Sequence, residues 1–119
     1  MTSLWNANLV REYSSLSADE LEARFCADEE TLEWSHSYRK SAFEWVGQNM
    51  EQIRQGICHT PEIRAYIESS DLREQVLLYN SVADVVLSYF TGLACMVITE
   101  IIMRRGIMNL CKPIWDAGA

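Results

Sequence analysis

Between Val82 and Met103 the chain carries only two charges, Asp84 and Glu100, and the uncharged run between them is 15 residues long. No other stretch constrains the fold as tightly. A bilayer span needs ~20 apolar residues, so the run is too short for a membrane and reads as a helix buried in a protein core. Read as one helix, it is apolar on both sides. Ala83, Leu87, Phe90, Ala94, Val97 and Ile101 fall on one face, and Val82, Val86, Tyr89, Leu93 and Met96 on the other. A single amphipathic neighbour cannot cover both faces, which predicts a helix at the centre of a bundle.

The remaining helices follow from caps and apolar spacing. Ser17-Ala18-Asp19-Glu20 has the form of a capping box, in which the Ser hydroxyl and the Glu carboxylate each accept from the other's backbone N–H, so a helix should begin at Ala18 and end near Ala27. Asp28 can cap a second, longer helix over 29–55. Its apolar positions Leu32, Ala42, Phe43, Val46, Met50 and Ile53 recur at helical spacing, with Trp34, Tyr38 and Trp45 beside them. Gly47 inside this helix marks a close crossing or a boundary, and Gly56 its end. Thr60-Pro61 restarts the chain as N-cap and first helical residue, with Ile63, Tyr66 and Ile67 on one apolar face. Asp71, with Glu74 three residues on, caps the helix that carries the apolar run, over 72–103.

Two helices of ~27 and ~32 residues, roughly 40 to 48 Å long at 1.5 Å per residue, match as an antiparallel hairpin. They are too few to surround the apolar helix. The expected fold is therefore all-α, a helical hairpin of two long helices plus short helices, dimerising into a four-helix-bundle-like core. Val82, Val86, Tyr89, Leu93 and Met96 are the expected dimer interface. No repeat or Pro/Ser-rich linker divides the chain, so residues 1–119 read as a single helical domain with a loose N-terminal arm over 1–14 and a C-terminal tail over 106–119. Gly106 and Pro113 should end the order.

Charge and cysteine usage narrow the function. Ten Lys plus Arg against 17 Asp plus Glu give a net charge of −7, poor electrostatics for nucleic acid or an anionic membrane and better for a basic partner. Cys26, Cys58, Cys95 and Cys111 show no C-x-x-C pair and no zinc spacing, so free thiols are expected, Cys26 and Cys95 as small buried hydrophobes. With no basic segment followed by an apolar one at residues 1–9, this predicts a cytoplasmic protein.

Glu33 and His36 have the Glu-x-x-His spacing of di-metal carboxylate bundles, with Asp84 and Glu100 as conceivable bridging carboxylates, and supply a metal-site alternative. Asp84 and Glu100 should be wholly or partly buried. About 24 Å apart on one helix, they cannot work as an acid/base pair, and Glu100 is positioned to pair with Arg104 at i+4. Cys58-His59 in a turn does not make a nucleophilic dyad, and no Gly-rich phosphate loop is present. No enzyme and no cofactor is expected. Trp5 and Trp115, outside the regular helices, are the aromatic residues best placed as partner anchors.

The turn Gly56-Ile-Cys-His-Thr-Pro61, the stretch Ile63-Arg64, Tyr66-Ile67-Glu68 and Ser70, and the apolar helix from Val76 to Val97, with a looser match at Leu16-Ser-Ala-Asp-Glu-Leu-Glu22, resemble one family. It is that of the small helical quorum-sensing antiactivators, TraM and QslA, over about 80 residues. The resemblance implies a dimeric, non-enzymatic protein that binds a LuxR-type transcriptional activator and blocks its dimerisation or DNA binding, without contacting nucleic acid itself. Tyr66, Ile67, Trp5 and Trp115 are the expected partner-binding residues. Trp5 with its arm, the aromatic-rich second helix and the tail beyond Gly106 depart from the smaller members. Another small adaptor or immunity protein would share the same general traits.

Overall fold

The computed structural model describes residues 4–27, 41–67 and 71–117. Among them are eight helices: α1 (Ala7–Ser14), α2 (Ala18–Ala27), α3 (Ala42–Gln48), α4 (Met50–Cys58), α5 (Pro61–Tyr66), α6 (Leu72–Val86), α7 (Gly92–Arg105) and α8 (Ile107–Ala117). The expected caps at Asp28 and the aromatic positions Trp34 and Tyr38 lie outside the described residues. No strand occurs among those described, and the all-α expectation holds.

The long helix expected over 72–103 is two helices. Leu87 ends α6, and Ser88, Tyr89 and Phe90 donate to Val85 and Val86 carbonyls in a tight turn. Thr91 is extended and Gly92 takes a positive φ of 59°, a conformation that costs glycine no side-chain clash. The chain then reverses, and α7 packs back along α6. Most of both apolar faces of the run is thereby covered within one chain, Tyr89 and Leu93 at the turn staying exposed. Ala94 to Ile102 are buried without a break, because α7 is enclosed by α1, α2, α3, α6 and α8. Val82, Val86 and Met96, expected at a dimer interface, lie in this core. The bundle centre is filled by the chain's own short helices.

The helix expected over 29–55 also breaks. Asn49 separates α3 from α4, and its side-chain amide donates to the Trp45 carbonyl at 2.8 Å, competing with the continuing helix. Gly47 and Gly56 exchange their expected roles. A Cβ on Gly47 would meet only the Arg105 guanidinium at 3.6 Å, whereas one on Gly56 would come within 2.6 Å of Val85 Cγ1. Gly56 lies inside α4 and sets its approach to α6.

Two of the caps read from the sequence, at Ser17 and Asp71, form their side-chain bonds. Glu20 N–H donates to Ser17 Oγ at 3.1 Å and Ser17 N–H to Glu20 Oε1 at 3.0 Å, and Asp71 accepts from the Arg73 N–H at 2.8 Å. One cap is tertiary: Glu22 of α2 accepts from the N–H groups of Ala42 and Phe43 at 3.0 and 3.1 Å, which docks α2 on the positive end of α3.

The arm expected to be loose carries α1, capped by Asn6, and Trp5, Val10 and Tyr13 are buried. Asn80 of α6 clamps it, accepting from the Trp5 N–H at 2.8 Å and donating to the Trp5 carbonyl at 3.2 Å. At the other end, Gly106 does stop α7, but the chain continues as α8 straight through Pro113. Ile107, Leu110 and Cys111 of α8 are buried against α4 and α7. No helix among the described residues is long and apolar enough to cross a membrane.

Cys58 and Cys111 form a disulfide, contrary to the expected free thiols. The return of α8 onto α4 brings together residues 53 apart in sequence, to a Cα–Cα distance of 5.3 Å, a proximity that spacing alone does not reveal. Cys26 is free and exposed rather than buried, while Cys95 is free and fully buried. Burial pushes the Cys95 thiol up from 9.0 to about 11. Burial, followed by the Glu100 carboxylate, raises Tyr79 as well. Both groups stay protonated in the folded chain at a pH where the unfolded chain ionises them, so stability should fall as pH rises from 9 past 11. For Cys95 this corresponds to about 2–3 kcal/mol. Urea unfolding at pH 8 and pH 11 should show this loss, and Cys95→Ala should diminish it.

Candidate functional site

Three surface features collect the residues singled out from the sequence. The first is a cleft of about 630 Å³ where the end of α4 and the start of α5 meet α8. Thr60 and Pro61 line it where the chain passes from α4 into α5. Pro61 starts α5, but Thr60 does not cap it with its side chain; its hydroxyl donates back to the Gly56 carbonyl of α4 at 2.9 Å. The facing wall is Ile114 and Trp115 of α8. Trp115 Nε1–H donates to the Cys58 carbonyl at 2.8 Å, satisfying a terminal acceptor of α4 and fixing the indole plane. The Arg64 guanidinium lies 5.2 Å over the Trp115 ring, within cation–π range. Cys58 and His59 line the same cleft, and His59 meets Gln55 Oε1 through its Nε2 at 3.2 Å.

The second feature is a cleft of about 550 Å³ between α1, α6, α7 and α8, which includes Ile67 in its wall. At its base the Glu100 carboxylate, 2% exposed, accepts from Tyr79 OH at 2.9 Å and from Arg104 Nε at 2.8 Å. Arg104 also donates to the carbonyls of Tyr13 and Leu16, at 2.9 and 2.6 Å, and so ties the α1–α2 connection to the end of α7. The Glu100–Arg104 pair stands as expected. Asp84 is exposed rather than buried, in the last turn of α6. The break after Val86 removes the single helix on which the two carboxylates were to be held about 24 Å apart.

The third is the α6–α7 corner. Tyr89 and Leu93 are 42% and 45% exposed, beside the buried Trp45 and Phe90, whose ring centroids are 4.9 Å apart, with Tyr89 5.3 Å from Trp45.

The four expected partner-binding residues do not converge. Trp115 and Ile67 line different clefts, Tyr66 is half-buried at the end of α5, and Trp5 is in the core against Tyr79 and Tyr13. Trp5 therefore presents no anchor to a partner. Arg64, absent from that set, is the polar half of the Trp115 pair. Its position one turn after Pro61 was the available signal. Glu33 and His36 lie outside the described residues, and among those described no cluster of three or more His, Cys, Asp or Glu could hold a metal ion. Compared with known proteins, the chain matches no protein family, no curated protein and no solved structure.

Proposed function

We propose that the chain is a non-enzymatic binding protein that captures a LuxR-type transcriptional activator in the cytoplasm and blocks its dimerisation or DNA binding. The observation that carries this reading is the Trp115–Arg64 pair on the wall of the α4–α5–α8 cleft. Trp and Arg are the side chains most enriched among residues that dominate interface energetics, and here both are held in place before a partner arrives. The net charge of −7 suits a basic partner surface, and a DNA-binding face is basic. The choice of a LuxR-type activator comes from the resemblance of residues 56–70 and the apolar run to the antiactivators.

Calorimetric titration of the purified protein with a LuxR-type activator tests it. Trp115→Ala should weaken binding about 30-fold or more, the size of a 2 kcal/mol hot spot, and Arg64→Ala should weaken it less. A native-like melting transition in both variants assigns the loss to the surface. No binding by the unaltered protein removes the LuxR-type assignment.

A homodimer is the second part of the proposal, and the exposure of Tyr89 and Leu93 favours the α6–α7 corner as its contact. Val82, Val86 and Met96 no longer contribute to that contact. Light scattering should report a dimer for the unaltered protein and a monomer for Leu93→Glu.

A further inference from the structure

We propose that Cys58–Cys111 is a reversible redox site, at which a dithiol reductant releases α8 and dismantles the Trp115–Arg64 surface. This rests on the proposed function for its cytoplasmic setting and its consequence, while the bond and its place beside the cleft are those of the fold. In the cytoplasm a disulfide is transient and regulatory rather than a permanent staple. The coexistence of Cys58–Cys111 with the exposed free thiol of Cys26 fits a chain that meets reducing conditions.

Geometry gives the site a route in and a mechanical output. Both cysteines are buried, but Cys58, 6% exposed, lines the α4–α5–α8 cleft, whereas Cys111 has no exposed surface, so Cys58 is the nearer of the two to solvent. A reductant thiolate entering the cleft attacks Cys58 Sγ. The Cys58–Cys111 bond breaks, a mixed disulfide forms at Cys58, and Cys111 leaves as thiolate. The reductant's second thiolate then attacks its own sulfur in the mixed disulfide and departs as a cyclic disulfide, releasing Cys58 as thiolate. Two electrons pass to the protein, and the two thiolates take protons from water. A thiolate released among apolar neighbours is unfavourable, so departure of Cys111 is coupled to lifting of α8.

Without the bond α8 keeps the apolar contacts of Ile107 and Leu110, and three described polar ties hold it to the α4–α5 region. Arg54 Nε donates to the Leu110 carbonyl at 2.9 Å, Trp115 donates to Cys58, and Arg64 covers the Trp115 ring. Two of these three centre on Trp115, so one movement of α8 removes both together with the cleft wall. The same helix supplies Ile107 and Met108 to the second cleft, which would open with it.

Hydrogen exchange read by mass spectrometry on the full chain, air-oxidised and then treated with dithiothreitol, tests the proposal without any partner. Alkylation after unfolding should label only Cys26 and Cys95 before reduction and all four cysteines after it. Exchange over 107–117 and 50–58 should speed at least tenfold on reduction, with 18–27, which does not pack on α8, unchanged, and reoxidation should restore the slow rates. The Cys58→Ser/Cys111→Ser variant should exchange like the reduced protein with or without dithiothreitol. Failure of the disulfide to form, unchanged exchange over 107–117, or loss of protection throughout the chain would overturn it. Because no activator is present, a negative calorimetric titration cannot mimic any of these results.

Discussion

Trp5→Ala is expected to lower the unfolding free energy by about 3–5 kcal/mol, the range for truncating a large aromatic residue in a core. The ring is 2% exposed and lies 4.6 Å from Tyr79 and 5.2 Å from Tyr13 between centroids. Removing it would empty the space between α1 and α6 and leave the Asn80 clamp holding a backbone with no side chain to position. Trp5→Phe, which keeps an aromatic ring against both tyrosines, should cost clearly less. Chemical denaturation of the three proteins checks the order. The result also separates two roles for one residue: a surface anchor would lose partner affinity at little cost in stability. An Ala variant as stable as the unaltered chain would return Trp5 to the surface.

The reason Trp5 was legible only as an aromatic residue in an irregular arm is physical. Its hold is a pair of hydrogen bonds to Asn80, 75 residues away, and nothing local at either position encodes them. Features that close within one helical turn were readable: the Ser17–Glu20 box, the Asp71 cap, the Glu100–Arg104 pair and the stop at Gly106. The reversal at Leu87–Thr91 was not. A run apolar on both faces demands cover on both faces, and periodicity does not say whether a second copy or the same chain provides it. Gly92, alone inside the run, was the one local mark of the turn. Once the turn is made, α7 is enclosed and the demand for a dimer around Val82, Val86 and Met96 disappears.

The candidate site divides in the same way. Trp115 stood out as an aromatic residue beyond Gly106, but its role depends on α8 returning to α4, which also sets the Cys58–Cys111 pairing. Pro113 pointed to the end of order there, because proline removes one helical hydrogen bond. The buried face of Ile107, Leu110 and Cys111 together with the cross-link outweighs that single loss. By a chain-entropy argument, a cross-link over 53 residues is worth about 4 kcal/mol, somewhat more than the ~3 kcal/mol that a proline inside a helix costs.

The second large effect should come from Arg104→Ala, at about 3–5 kcal/mol, because it strands a buried carboxylate. Glu100 lies on the most enclosed helix of the fold, and without Arg104 its carboxylate would keep only the Tyr79 hydroxyl among the bonds described above. The loss should sit at the lower end of that range, since the Arg104 side chain is 31% exposed and water can enter where it stood. Adding Glu100→Gln to Arg104→Ala removes the stranded charge, and the double variant should recover about 1–2 kcal/mol relative to Arg104→Ala alone. Purely additive losses in a double-mutant cycle, read by urea unfolding, would show that the pair is not coupled. The same substitution frees the Tyr13 and Leu16 carbonyls, so hydrogen exchange should speed between α1 and α2 as well. That second readout assigns Arg104 its structural role: one guanidinium neutralises the charge buried under the apolar cleft and fastens the first two helices to the end of the central one.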